Sequence, residues 1–340
     1  MNRLFVETKL KHVLGLDGFD RGKFGRVRQL YRKARDRPRW LFQQNPVYVN
    51  LETTRNCNLR CRYCVRASLV DSGKLKASTM TDATFQQVTA ELNGTCGNVK
   101  WFVFSGIGEP LLDLDLFRRV DVLRRMFPLA KMNITTNGVL LNESRRADII
   151  ELLDSVTVSV NLHDPNEYRE WEGADCFSVV VENVKALLRE KRNGKPNVDV
   201  QLLYLPANWN RVEDFRRFWQ PFLNCNDRVK LHELHQWTGK LKENVCSYDD
   251  LVQRYPCSQL WELLYFSVEG DVFPCCMGEV AGELRLGNVG HDSLGSMLQG
   301  ERLKQIRLLH QFCNYPSSCV GCHVWEEITC PMFKVRSRFF

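Results

Sequence analysis

"TTRNCNLRCRYCVRAS", residues 53–68, places three cysteines within eight residues: Cys57, Cys61 and Cys64. A structural zinc site is closed by four ligands. A ferredoxin-type 4Fe–4S cluster also takes four thiolates. Three thiolates on one short loop leave one iron of such a cluster without a protein ligand, and an open coordination position is where a substrate or cofactor binds. On spacing alone zinc stands as the alternative.

The loop follows a strand-like run, "VYVNLE" (47–52), and further runs rich in Val, Ile, Leu and Phe recur downstream. They are "KWFVFSG" (100–106), "MNITTNG" (132–138), "SVTVSVN" (155–161), "VDVQLLYL" (198–205) and "VKLHELH" (229–235). Helical stretches lie between them, such as "TDATFQQVTAELNG", with Thr81 as its N-cap, and "DLDLFRRVDVLRRMF". Alternation of this kind predicts a parallel sheet with right-handed crossovers. Residues 47–235 hold about six βα units of roughly 30 residues each. The expected fold is α/β, a partial (β/α)6 TIM-like barrel with its chemistry at the C-terminal ends of the strands.

The second strand ends in "SGIGEPLL" (105–112). Gly106 and Gly108 permit close backbone approach, and Glu109 is presented ahead of Pro110, which fixes the turn. Two motifs on adjacent strand ends argue for a site rather than for a plain βα turn.

Cys57-x3-Cys61-x2-Cys64 with Tyr63 before the last cysteine, followed by "GIGEP", resembles the radical S-adenosylmethionine (SAM) superfamily over about residues 46–240. The resemblance implies a 4Fe–4S cluster whose open iron is chelated by SAM. Reductive cleavage of SAM would then give a 5′-deoxyadenosyl radical that abstracts a hydrogen atom from substrate. It places Gly106, Gly108, Glu109 and Pro110 at the methionine amino group and the Tyr63 backbone against the adenine. Asn137 in "TTNG" (135–138), Ser159 and Asn161 would meet the ribose and carboxylate. A one-electron donor such as flavodoxin or ferredoxin is the implied partner.

Past residue 240 the pattern changes. "CSQLWELLYFSVEGDVFPCC" predicts a hairpin turning at Glu269-Gly270-Asp271, followed by helical "SLGSMLQGERLKQIRLLHQ" and "CVGC". Cys257-x12-Gly270-x4-Cys275 with Cys319-x2-Cys322 resembles the SPASM/Twitch extension of radical SAM enzymes and implies a second, auxiliary 4Fe–4S cluster. Zinc on the same four thiolates is the alternative. The two-cluster form of that extension has a further cysteine where this chain has Ile328, so one auxiliary cluster is expected. The expected organisation is a basic N-terminal arm (1–45), a radical SAM core (46–240) and a cysteine-rich α+β auxiliary domain (241–340).

Cys276 has no role in a four-cysteine site. It is either a buried apolar thiol or a hydrogen-atom donor aimed into the substrate cavity, where His235, Gln236 and Trp237 are expected at the rim. The remaining cysteines, Cys96, Cys176, Cys225, Cys246, Cys313 and Cys330, lack close spacing, and most read as packing residues.

Composition bounds the rest. The chain has 340 residues, 44% hydrophobic and 26% charged, with 14 cysteines and a net charge of +7. That is the profile of a globular protein with a real core. No apolar run approaches the roughly 18 residues of a membrane helix. The first 20 residues lack the apolar centre of a signal peptide, and the chain reads as cytoplasmic, where 14 cysteines point to metal rather than disulfides. Residues 1–45 carry 12 Lys/Arg against 4 Asp/Glu, while the remainder is about neutral. That arm reads as a solvated helix or as a contact for an anionic substrate or partner. Nucleic acid is disfavoured, because the body adds no basic footprint.

The compact size and single auxiliary cluster resemble epimerases and dehydrogenases that tailor aminoglycosides, aminocyclitols and other sugars in natural product biosynthesis. The expected reaction is abstraction of a carbinol hydrogen from a sugar-like small molecule, giving epimerisation or oxidation. Peptide maturation is the second reading, and a non-catalytic electron-transfer or zinc protein the third.

Overall fold

The computed structural model describes residues 46–204, 211–234, 237, 256–320, 322 and 324, all within the compact unit Asn45–Phe340. The basic arm, His235, Gln236, Cys246, Cys330 and the expected boundary at residue 240 lie outside the described residues.

Six strands, β1 (Tyr48–Leu51), β2 (Trp101–Phe104), β3 (Lys131–Thr136), β4 (Ser155–Asn161), β5 (Asn197–Tyr204) and β6 (Arg228–Glu233), form a parallel series in chain order. Each falls on an apolar run expected to be a strand. The helices between them include α1 (Val65–Asp71), α2 (Asp82–Thr95), α3 (Leu116–Met126), α4 (Glu143–Leu152), α5 (Pro165–Glu172), α6 (Phe177–Glu190) and α7 (Val212–Trp219). Thr81 caps α2 as its sequence predicts, its hydroxyl accepting from Thr84 N–H at 3.1 Å. Helix α6 buries Val180, Val184 and Leu187 on one stripe at helical spacing. Such burial contributes roughly 1.5–3 kcal/mol for each large aliphatic side chain.

The sheet does not end at β1. After α8 (Gln259–Glu262), strand β7 (Leu263–Phe266) pairs parallel with β1, Tyr48 opposite Leu263 and Leu51 opposite Phe266. Strands β8 (Asp271–Phe273) and β9 (Gly287–Asn288) continue it antiparallel, giving the order β6-β5-β4-β3-β2-β1-β7-β8-β9 in an open sheet. The expected hairpin is present, with Asp271 already in its second strand and the turn spanning residues 267–270. Its first strand covers the edge that β1 would otherwise leave unpaired. The cysteine-rich segment is therefore joined to the barrel through one continuous sheet. Helices α9 (Leu294–Gln299), α10 (Glu301–Gln311) and α11 (Ser317–Val320) complete it. No described helix is long and apolar enough to cross a membrane.

Side chains alternate along the strands. On β4, Val156, Val158 and Val160 are fully buried in the apolar core, while Ser159 and Asn161 face a cavity. On β5, Val198, Val200 and Leu202 face the same core, while Gln201 and Leu203 face the cavity. Asn50, Ser105, Thr135 and His232 continue this polar inner wall on β1, after β2, on β3 and on β6. The apolar face secures the helices, and the polar side chains that alternate with it turn toward the cavity, beside apolar residues such as Leu203 and Leu234.

Candidate active site

A cavity of about 330 Å³ opens inside the barrel. Cys57, Cys61 and Cys64 border it together with Tyr63, Gly106, Gly108, Glu109, Asn137, Ser159, Asn161 and Cys276. Of the residues expected around SAM, only Pro110 does not line it. Pro110 is buried and opens a short 3-10 turn, Pro110–Leu112, that fixes the direction of Glu109. Trp237, expected at the rim, lines the cavity and donates its indole N–H to the Tyr63 carbonyl at 2.9 Å.

The two glycines are required by packing as well. A Cβ on Gly106 would stand 2.4 Å from Glu52 Oε1, and one on Gly108 would stand 2.1 Å from the Thr54 carbonyl oxygen. The second obstacle is backbone of the cysteine loop and cannot turn aside. Gly108→Ala is expected to cost about 3 kcal/mol, the upper part of the ordinary overpacking range, read as a lowered chemical-denaturation midpoint. Gly106→Ala meets only a side chain and should cost less.

Glu109 is 2% exposed. Its Oε1 accepts from Leu111 N–H at 3.1 Å and from the Thr136 hydroxyl at 2.7 Å, and its Oε2 accepts from Asn137 N–H at 2.7 Å. Burial raises its pKa, and these donors act in the opposite direction. The carboxylate thus ties the ends of β2 and β3 together at the cavity wall. Asn137 donates to Asn58 Oδ1 at 2.8 Å, which joins the same corner to the cysteine loop.

Around the three thiols Glu172, which the sequence does not announce, gathers the expected residues Tyr63 and Asn161. Cys61 donates to Glu172 Oε2 at 2.7 Å, and the Tyr63 hydroxyl also bonds Glu172. Asn161, held at φ 65° after a break in the β4–β5 register, donates to the Tyr63 oxygen at 2.7 Å and to Glu172 Oε1 at 3.1 Å. Burial is the main force raising the Cys61 thiol, followed by Glu172 and then by Cys64 and Cys57. Cys64 is pushed up to about 11, again chiefly by burial. Crowded buried thiols resist ionising unless cationic metal offsets their charge, so this trio suits an iron cluster. Its nearest further acidic neighbour at Cys61 is a carboxyl group, not a fourth thiol.

The cysteines expected to hold an auxiliary cluster influence one another, with Cys276 among them. Cys257 is raised by burial and by Cys322, Cys276 and Cys319; Cys275 is raised by Cys276, burial, Cys257 and Cys322. Cys257 N–H donates to His310 Nδ1 at 3.4 Å, and Cys322 N–H to the Cys319 carbonyl at 3.2 Å. These four thiols lie outside the cavity lining. Among the described residues no three His, Cys, Asp or Glu side chains converge on a single metal ion. A four-iron cluster, with each thiolate on a different iron, asks for a wider set than zinc does. Replacing Cys319 and Cys322 together with Ala is expected to remove about four of eight irons per chain. It should also loosen residues 257–324 to proteolysis, since metal binding and folding are coupled. Full iron retention would refute the ligand assignment.

Cys276 N–H donates to Gln259 Oε1 at 2.9 Å, and Gln259 Nε2 donates back to Cys276 Sγ at 3.3 Å. Gln259 is buried and fixes the thiol at the cavity wall. The bland expectation for the other cysteines holds only in part. Cys96 is buried in the core and Cys176 packs against it, whereas Cys225 and Cys313 are exposed.

Residues 51–218 match the radical SAM superfamily model, and residues 257–323 match the SPASM iron-sulfur cluster-binding domain. Among curated relatives, the GTP 3′,8-cyclase of Alkaliphilus oremlandii is 24% identical over 220 residues, covering 63% of this chain and 65% of that protein. The tungsten-containing aldehyde ferredoxin oxidoreductase cofactor-modifying protein of Pyrococcus furiosus is 27% identical over 323 residues, covering 81% and 86%. Among solved structures, BtrN in complex with AdoMet and 2-DOIA has a TM-score of 0.55 at 17% identity, covering 82% of this chain and 93% of that one. Streptococcus suis SuiB bound to its precursor peptide SuiA has a TM-score of 0.62 at 12% identity, covering 95% and 81%. With both motif sets matched and the open parallel barrel in place, the chain belongs to the radical SAM superfamily and carries a C-terminal SPASM iron-sulfur domain.

Proposed function

We propose that this enzyme abstracts a hydrogen atom from a carbinol carbon of a carbohydrate- or aminocyclitol-like small molecule, and that inversion of that carbon prevails over oxidation to a ketone. The observation that carries this reading is Cys276, a thiol pinned by Gln259 on the wall of the cavity that Cys57, Cys61 and Cys64 border. When bound, the 4Fe–4S cluster and SAM supply the 5′-deoxyadenosyl radical that removes the hydrogen atom.

The chain's own residues position and finish the reaction. Glu109 accepts the methionine ammonium beside Cys57, while Asn137, Ser159 and Asn161 meet the ribose and carboxylate. The Cys276 S–H bond breaks as a C–H bond forms on the opposite face of the substrate radical. The sulfur radical left behind returns to thiol by taking up one electron and one proton. A low-potential one-electron donor, such as a flavodoxin or ferredoxin, supplies that electron. The two curated relatives are named for GTP and for an enzyme cofactor, which favours a small molecule.

Peptide modification is kept as a second reading because SuiB, bound to its precursor peptide, shares the fold over 95% of this chain. A substrate panel separates the two. Formation of 5′-deoxyadenosine by reconstituted enzyme should rise several-fold with cyclitols or aminoglycosides and not with peptides. A rise confined to peptides would replace the first reading by the second.

A further inference from the structure

One wall of the cavity is acidic for a reason the radical chemistry does not use. Arg55, 2% exposed and two residues before Cys57, is gripped by three carboxylates brought from distant parts of the chain. Its Nε donates to Glu52 Oε2 at 3.3 Å, its Nη1 to Glu269 Oε1 at 2.6 Å, and its Nη2 to both Glu269 and Glu279. One guanidinium therefore faces three carboxyl groups. Of these, Glu52 and Glu279 line the cavity, while Glu269 does not and its side chain is 47% exposed.

The three do not use their oxygens equally. Glu52 is enclosed by Arg55, by Ile107 N–H at 3.0 Å and by the Tyr265 hydroxyl. Glu279 gives Oε1 to Arg55, but its Oε2 is shut from solvent with no hydrogen-bond partner among the described residues. An acceptor in that condition costs about 1–3 kcal/mol unless a donor arrives. Among the described residues that line the cavity there are four glutamates, Glu52, Glu109, Glu172 and Glu279, and no lysine or arginine. Glu109 faces the methionine ammonium and Arg55 pairs with Glu52 and Glu279, which leaves Glu279 Oε2 as the carboxyl oxygen still without a donor.

We propose that Glu279, backed by Glu52, receives an ammonium group of the substrate, so that the enzyme takes an amine-bearing small molecule such as an aminocyclitol. This rests on the small-molecule reading above and narrows it. Sugars and cyclitols offer hydroxyls in every direction, whereas a charged amine fixes one ring position beside Glu279. It thereby selects which carbinol carbon faces the radical and Cys276.

The electrostatics give the binding a signature. Burial is the main cause pushing Glu279 up to about 8, with Arg55 opposing and with Glu52, Glu269 and Asp271 adding to it. Tyr265, itself raised by burial and by Glu52 and Glu279, completes the groups facing it. Glu279 is therefore largely protonated at pH 7 in the free protein. An ammonium ion lowers its pKa, so binding expels a proton: the affinity declines as pH falls below about 8, and on the alkaline side it is bounded by loss of the proton from the ligand's own amine.

The test is calorimetric titration of the reconstituted, SAM-loaded enzyme with 2-deoxystreptamine and with scyllo-inositol, a neutral cyclitol on the same ring. The amine should bind about tenfold or more tightly, the worth of one well-placed charged contact. At pH 7 it should release close to one proton, read from buffers of different ionisation heat. Glu279→Gln should bring the affinity ratio to about one and abolish proton release, while Glu269→Gln should preserve the ratio. A general folding defect would weaken both ligands together and leave the ratio intact, which would count against the assignment. Equal affinities in the wild type would overturn ammonium recognition and leave the carbohydrate-like reading standing. Binding of neither cyclitol to the wild type would overturn both.

Discussion

Replacing Cys57, Cys61 and Cys64 together with Ala is expected to leave about four of eight irons per chain and to abolish formation of 5′-deoxyadenosine. The three thiols are the only cysteines of their loop, and they stand at the cavity wall with Glu109 and Glu172 as the nearest acidic groups. Glu109 is bonded to Leu111, Thr136 and Asn137, and Glu172 to Tyr63, Asn161 and the Cys61 thiol itself, so a single carboxylate beside Cys61 is all that would remain in place of three thiolates. The auxiliary thiols do not line this cavity, so their irons should stay. Iron and sulfide assays on anaerobically reconstituted protein check the first part, and chromatography of the nucleoside product checks the second. A triple variant that still makes 5′-deoxyadenosine would place SAM cleavage elsewhere.

The six strands were legible because each is a short apolar run between polar helices, and burial on the helix-facing side enforces that composition. The pairing of β7 with β1 was not legible. "LLYF" (263–266) reads locally as one arm of a hairpin, and nothing in its pattern says that its other edge meets a strand more than 200 residues earlier. The cysteines and the "GIGEP" loop were legible because their chemistry depends on close spacing. Gly106 and Gly108 were expected to admit a ligand, and the structure adds that they admit Glu52 and the Thr54 backbone.

The acidic wall was missed for the opposite reason. Arg55 reads as filler between Thr54 and Cys57, yet its partners Glu269 and Glu279 lie 214 and 224 residues away. Long-range ion pairs leave no periodicity. Glu172 and Gln259 are single polar residues in helices, and only the fold turns them toward Cys61 and Cys276. A usable signal existed in the strands. Asn50, Ser159 and Gln201 interrupt apolar runs at the alternate positions that face the cavity, where a packed barrel would carry Val or Leu.

In deuterated water the wild-type enzyme is expected to place one deuterium at the inverted carbon, and Cys276→Ala is expected to retain 5′-deoxyadenosine formation while losing nearly all inverted product. The outcome depends on which group can reach the substrate radical from the face opposite SAM. Cys276 is the one cysteine lining the cavity, among the described residues, that belongs to neither expected ligand set. Its thiol hydrogen exchanges with solvent before turnover, so solvent deuterium reports its delivery directly. Gln259 should matter through geometry alone: Gln259→Leu removes its own two bonds to Cys276, leaves the thiol's contact with Cys275, and should reduce inversion while the thiol remains present. Oxidation is the competing fate, in which the substrate radical would lose a proton and an electron to give a ketone, an auxiliary cluster held by Cys257, Cys275, Cys319 and Cys322 being the acceptor such a route would need. That route needs no thiol, so Cys276→Ala would leave it intact and the product would carry no solvent deuterium. A ketone of that kind, or normal turnover by the variant, would make Cys276 a packing residue and the enzyme a dehydrogenase.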